Sequence, residues 1–264
     1  MFLSESEKKI TNEYLENGYI IQPVADQGAL EWIRNQYIQI IQSELNISPT
    51  INPEQLLNHI EEYVSVDTLN HFRLRMIEGI NALEPFREMY FKIARPYLEV
   101  LVGNELAMQL RVNLSIQLPN DDSSLLQVHA DTWSGDSPFE VVVWLPLVDC
   151  FGTKAMYLLS PRASKKLNEN FVDRAGKSSN DLYQNIRNEV KWLDIKYGEV
   201  LIFNLALPHG NRCNEESETR WSMNCRFKGV FTPYSDKKIG EFFEPITLRA
   251  ASQTGMKYNP PKVV

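Results

Sequence analysis

The apolar positions of this chain keep a helical period as far as Gly103 and an alternating one after it. Ser4 followed by Glu7 has the spacing of a capping box, and Ile10, Tyr14 and Leu15 continue at helical steps, which predicts a first helix ending near Gly18. Tyr19 to Val24 is apolar and β-branched enough for a short strand, closed by Pro23 and Asp26. Leu30, Ile33, Tyr37, Ile40 and Ile41 share one face of a second helix. Asn52 and Pro53 restart the pattern, with Leu56, Leu57 and Ile60 following. Asp67 is expected to cap a helix with the face Leu69, Phe72, Met76, Ile80 and Leu83. A further helix is expected from Pro85 through Met89, Ile93, Leu98 and Leu101.

From Gln109 to Leu118 the chain alternates, with Leu110, Val112, Leu114 and Ile116 on one face and Arg111, Asn113, Ser115 and Gln117 on the other. Such a polar face suits either water or the inside of a barrel that holds a polar ligand. Pro119 to Ser124 reads as a turn and Leu125 to Asp131 as the next strand, on which His129 and Asp131 point to the same side. Phe139 to Val148, Met156 to Leu159, Trp192 to Ile195, Val200 to Phe203 and Arg220 to Phe231 supply further strands, with Tyr197-Gly198-Glu199 as a tight turn. Arg162 to Lys191 is polar, helix plus loop, an insertion placed to cover a site between strands. Helices followed by many short strands spell an α+β fold with a sandwich or barrel core. The expected organisation is a single domain over 1–264: a mainly helical part at 1–105, a core of strands at 106–232 and a C-terminal extension at 233–264.

A length of 264 residues, 43% apolar and 23% charged, fits one soluble globular domain. The net charge of −7 comes without a basic stripe, so nucleic acid is excluded as a partner and an anionic small molecule must be met by local arginines. No apolar run has the length of a signal peptide or a membrane span, which leads to the expectation of a cytoplasmic protein with no membrane partner. Cys150, Cys213 and Cys225 are an odd set without zinc-like spacing and read as packing residues. Oligomeric state is not legible.

Among four histidines, His59 and His71 fall in the helical part, where an exposed or capping role is the plain reading. His129 and Asp131 lie two apart, and His209 lies far downstream. Two imidazoles and one carboxylate are the facial set that holds Fe(II) and leaves three coordination positions open. Calcium or magnesium would take oxygen alone, and a closed zinc site would need a fourth protein ligand. After His209 come the ten residues 210–219 and then Arg220 and Ser222. A guanidinium fork with a neighbouring hydroxyl suits the far carboxylate of 2-oxoglutarate. A surface strand with both side chains in water is the plainer reading of Arg220 and Ser222 taken alone.

H-x-D, a distal His, then ten residues and R-x-S resembles the Fe(II)/2-oxoglutarate dioxygenases, whose fold is a double-stranded β-helix, or jelly roll. YLENGYIIQPV near the N-terminus, GEVLIFNLALPHG before the distal histidine, and Asn214 and Arg220 after it look like the phytanoyl-CoA hydroxylase branch. NLSIQLPNDDSSLLQVHADTWSGDSPFEVVVWLPLVDC is similar to the oxygenases of sporadic carbohydrate-biosynthesis clusters. The resemblance spans about residues 10–231 and implies a jelly-roll core with the helical region packed on it. It also implies Fe(II), 2-oxoglutarate as cosubstrate and O2. By it, His129, Asp131 and His209 would ligate iron, Arg220 and Ser222 would grip 2-oxoglutarate, and the default outcome would be hydroxylation. Gln117 is expected beside the cosubstrate, and Arg111, Asn113 and Trp133 on the side of a small polar substrate such as a sugar or sugar nucleotide. Where the branch often has Pro-Gly-Ser-His, this chain reads Ser160-Pro161-Arg162-Ala163-Ser164. Two other classes remain: a non-redox metal-dependent jelly-roll sugar isomerase or epimerase, and a non-catalytic carbohydrate-binding protein.

Overall fold

A computed structural model describes residues 2–174 and 177–261. Residues 175 and 176 of the polar insertion, and 262–264 of the C-terminal extension, lie outside the described residues.

The helical part forms as its caps dictate. Helix α1 (Glu5–Asn17) carries the reciprocal capping box of Ser4 and Glu7, and Gly18 ends it at φ +79°. Strand β1 (Tyr19–Pro23) leads to α2 (Gln27–Leu45), which Asp26 caps. Asn52 caps the short α3 (Pro53–Asn58). Helix α4 (Val66–Asn81) starts two residues earlier than expected, with Ser65 at the N-cap and Asp67 inside the first turn, where a negative charge favours the helix dipole. The helix expected from Pro85 to Leu101 is two, α5 (Phe86–Lys92) and α6 (Arg95–Leu101). Pro96 sits in the first turn of α6, where it starts a helix readily but cannot sit inside one.

The alternating stretch after Gly103 is likewise interrupted. Strands β2 (Leu106–Gln109) and β3 (Asn113–Gln117) flank a bend at 110–112. Asn81 of α4 takes both backbone groups of Val112, its Oδ1 accepting from the amide at 3.0 Å and its Nδ2 donating to the carbonyl at 3.0 Å. A helix side chain thus replaces the ladder at that residue. The run 125–131 is not a regular strand. Its one β-bridge joins His129 to His209, with Asn211 N donating to Leu126 O and Asp131 N to Leu205 O on either side, and Asp131 opens a 3-10 turn at 131–134.

The remaining strands are β4 (Glu140–Pro146), β5 (Tyr157–Leu159), β6 (Val190–Trp192), β7 (Glu199–Asn204), β8 (His209–Gly210), β9 (Arg220–Gly229) and β10 (Phe243–Pro245). One antiparallel sheet runs β1-β7-β4-β9-β2-β10, with β3 also paired to β9, and a second runs β6-β5-β8. The insertion supplies α7 (Pro161–Glu169) and α8 (Ser179–Ile186), held on the small sheet by Leu167, Leu182, Ile186 and Tyr157. Helix α9 (Ala250–Gly255) follows near the C-terminus.

Strand β9 organises the molecule. Its outward residues Trp221, Met223, Cys225 and Phe227 are buried in the core. Trp221 meets Tyr37 of α2 and Phe72 of α4 edge to face at 6.2 and 6.0 Å, and its indole N–H donates to Leu57 O at 2.9 Å. Its inward residues are polar throughout: Arg220, Ser222, Asn224, Arg226 and Lys228. Alternation on the strand therefore separates a face packed on helices from one that lines a cavity. Among the described residues no helix is long and apolar enough to cross a membrane, and all three cysteines are free.

Candidate metal centre

His129 and His209 belong to facing chain segments that exchange both backbone hydrogen bonds, at 3.0 and 2.8 Å, so their rings lie side by side with centroids 4.3 Å apart. Each ring has its Nδ1 at 2.8 Å from the carbonyl two residues upstream, Gln127 for His129 and Leu207 for His209. A carbonyl only accepts, so Nδ1 carries the proton in both rings and Nε2 keeps its lone pair for the site. Asp131 enters from the 3-10 turn, tied by its amide to Leu205 O at 3.0 Å. One ligand atom from each of the three residues lies within 4.8 Å of the others. Two imidazoles and one carboxylate, with no fourth ligand in that group, are the donor set of an open transition-metal site.

At His209 and Asp131 the charges agree with that use. Burial pushes the His209 imidazole down to about 4, and the neighbouring His129 adds to the effect, so it stays neutral and ready to ligate. Burial also opposes ionisation of Asp131, but the His129 hydrogen bond and the His209 and Arg226 charges hold its carboxyl well below the usual carboxylate range. Burial works against a charged His129, yet its bonds to Asp131 and Gln127 raise it above 6.5.

A cavity of about 220 Å³ opens from these residues between the two sheets. At its wall Arg220 is 4% exposed, donating to Ala155 O at 3.3 Å and to Ser115 Oγ at 2.9 Å. No carboxylate lies within ion-pair distance of it among the described residues, and its Nε has no partner. Burial lowers its pKa to about 10. Ser222 Oγ, on the next inward position of β9, is also buried without a partner. An unpaired buried donor costs about 1–3 kcal/mol, and a buried cation more, so this pair suits an anionic ligand.

The other expected positions separate. Asn113 lines the cavity, donating to Asn224 Oδ1 at 3.1 Å. Gln117 is buried, its amide engaged with Arg212 O and with Asn211. Arg111 is exposed at the bend and outside the cavity wall. Trp133 lies in the 3-10 turn opened by Asp131, 40% exposed and outside the cavity wall, its ring tilted against Phe171 of the insertion with centroids 4.9 Å apart. The sequence did not single out Asn224 or Asp136. The period of two that linked Arg220 to Ser222 continues to 224 and would have found the first. Asp136 had no such signal.

No family model matches the chain, and no curated protein matches it. Solved structures do. HygX from Streptomyces hygroscopicus, with nickel and 2-oxoglutarate bound, is similar with a TM-score of 0.52 at 14% identity, over 88% of this chain and 89% of that one. The epimerase SnoN, in complex with Fe3+, alpha ketoglutarate and nogalamycin RO, reaches 0.52 at 13%, over 93% and 96%. The non-heme monooxygenase ThoJ in its apo form reaches 0.52 at 12%, over 92% and 85%. At such identities the likeness speaks for a shared fold.

Proposed function

We propose that the protein is an Fe(II)- and 2-oxoglutarate-dependent oxygenase that hydroxylates a small polar molecule such as a sugar or sugar nucleotide. The observation that carries this reading is Arg220: a buried guanidinium without a carboxylate, beside an unpartnered Ser222 hydroxyl, in the same cavity as His129, Asp131 and His209. An isomerase of the same architecture has no use for a cation held ready for an oxo-acid, and neither does a module that only binds carbohydrate. The strands would then form the double-stranded β-helix of the phytanoyl-CoA hydroxylase branch. Solved structures of this fold that hold iron, nickel and 2-oxoglutarate support the cofactor assignment.

In this reading His129, Asp131 and His209 hold the iron, and Arg220 with Ser222 grips the distal carboxylate of 2-oxoglutarate. Bound iron and 2-oxoglutarate supply the oxidising power with O2. The chain's own residues orient and exclude. Val142, Trp144, Met156 and Phe203 keep the wall dry, and Asn113 with Asn224 offers amide groups to a substrate. Trp133 and Phe171 place an aromatic pair beside Asp131, suited to a sugar face.

The test is oxygen- and Fe(II)-dependent formation of succinate, with product mass read on a panel of sugar nucleotides. His209→Ala should abolish turnover. Arg220→Ala should raise the KM for 2-oxoglutarate by about tens to thousands of fold, the equivalent of about 2–5 kcal/mol, while iron binding changes little. Full activity in His209→Ala overturns the assignment. Because the carbocyclase SnoK and the epimerase SnoN share the fold, a product of unchanged mass or two hydrogens lighter would redirect the reading from hydroxylation to epimerisation or ring closure.

A further inference from the structure

Beyond the three ligands, a chain of charges runs inward from the surface to Asp131. Arg226, on the inward face of β9, has its NH2 group 3.0 Å from Asp131 Oδ1 and its Nε 3.2 Å from Asp136 Oδ1. Lys237 Nζ meets the other oxygen of Asp136 at 2.6 Å. Asp136 is almost wholly buried, so its two cationic partners are what make its charge tolerable there. The segment that brings Lys237 is itself pinned beside the metal loop. Asp236 N donates to Gly135 O at 3.2 Å, Ser137 Oγ donates to Pro233 O at 2.7 Å, and Phe242 packs against both Arg226 and Lys237. At Gly135 the left-handed φ of +84° favours glycine, and a Cβ there would push aside the Asp236 carboxylate, 2.2 Å away.

We propose that Arg226 is a positioning residue for the metal carboxylate, and that the segment from Pro233 to Phe242 holds Arg226 in place through Asp136 and Lys237. This rests on the metal reading of His129, Asp131 and His209. The guanidinium meets Asp131 Oδ1, the oxygen 3.5 Å from His129 Nε2, and so holds the carboxylate toward the two imidazoles before an ion arrives; without it the carboxylate is free to turn away, and affinity is lost in ordering it. A cation that acted by charge alone would do the reverse of help, because it repels a divalent ion. The two roles therefore predict opposite signs when Arg226 is removed.

The experiment is an anaerobic titration of the full chain with Co(II), read by visible absorption, whose bands report coordination number, and repeated with 2-oxoglutarate. Arg226→Gln should weaken Co(II) binding by about 10–100-fold and change the spectrum, with Arg226→Lys recovering part of both. Lys237→Met, at the outer end of the chain of charges, should weaken binding in the same direction by about severalfold, and should also lower the melting temperature because it leaves the buried Asp136 with one cation fewer. If Arg226→Gln fails to fold, Arg226→Lys and Lys237→Met decide the matter. Equal or tighter Co(II) binding with an unaltered spectrum in these variants overturns the proposal and leaves the metal reading intact. Wild-type protein that takes up no Co(II) overturns both.

Discussion

Glu140, at the start of β4 and opposite Lys228 on β9, is the buried carboxylate whose ionisation the fold most resists. Burial pushes its pKa from 4.5 up to about 7, with Asp136 adding to the effect; Oε1 accepts from Ser137 N while Oε2 has no partner. The unfolded chain ionises this group near 4.5, so between there and about 7 the folded state binds the extra proton, and stability falls as pH rises through that window. Glu140→Gln keeps an acceptor for Ser137 and should raise stability at pH 8 by about 1–3 kcal/mol, with little gain at pH 4. Urea denaturation at the two pH values checks it, and an equal gain at both would rule out the charge as cause. This residue shows where reading a sequence stops. His129, Asp131, His209, Arg220 and Ser222, which the structure brings to one cavity, stood out in the sequence only as a combined pattern and by its resemblance to a family, since each short spacing alone has a plain structural reading. Glu140 reads only as a polar residue at a strand end, and its environment is made by Asp136, Lys228 and Arg226 from elsewhere in the chain.

At the scale of elements, periodicity located α1, α2, α4 and β9 because each presents one uniform face over several turns or pairs. It failed where a tertiary partner intervenes. The long strand expected over 109–118 breaks because Asn81 takes Val112's backbone, and the helix from Pro85 to Leu101 breaks just before Pro96, which is tolerated only in the first turn of α6. The strand expected over 125–131 is irregular because the side chain of Asn211 accepts the Leu126 amide in place of a ladder partner. The junction of α1 and β1 permits a sharper expectation. Gly18 sits at φ +79°, and a Cβ there would stand 2.1 Å from Leu207 Cδ1. Gly18→Ala combines backbone strain with a collision and should cost about 1–3 kcal/mol. Displacing Leu207 also disturbs the carbonyl that orients His209. Chemical denaturation reads the loss, and an unshifted midpoint would show that Leu207 yields freely.

Across the whole molecule, the helical part and the strands are fastened where β9 begins. Lys154, fully buried, donates to Asn58 Oδ1 at 2.8 Å and to Glu218 Oε2 at 2.7 Å; Thr219 N donates to Asn58 O, and the Trp221 indole to Leu57 O. Helices and sheets held by such shared contacts should unfold together, so far-ultraviolet dichroism and tryptophan fluorescence are expected to give coincident urea transitions. Lys154→Met strands Asn58 and the partly exposed Glu218 and should lower stability by about 1–3 kcal/mol, for both probes alike. Separate midpoints for helix and tryptophan signals would mean that the two parts melt independently. The polar inward face of β9 also bears on how such a protein diverges. Loss of a single residue inside Arg220–Gly229 reverses every position beyond it, turning Phe227 toward the cavity and the 226 guanidinium toward the helices. Insertions and deletions are therefore barred from this strand while the loops around the cavity mouth accept them, so lineages can exchange substrates by loop length while the strand changes by point replacement alone.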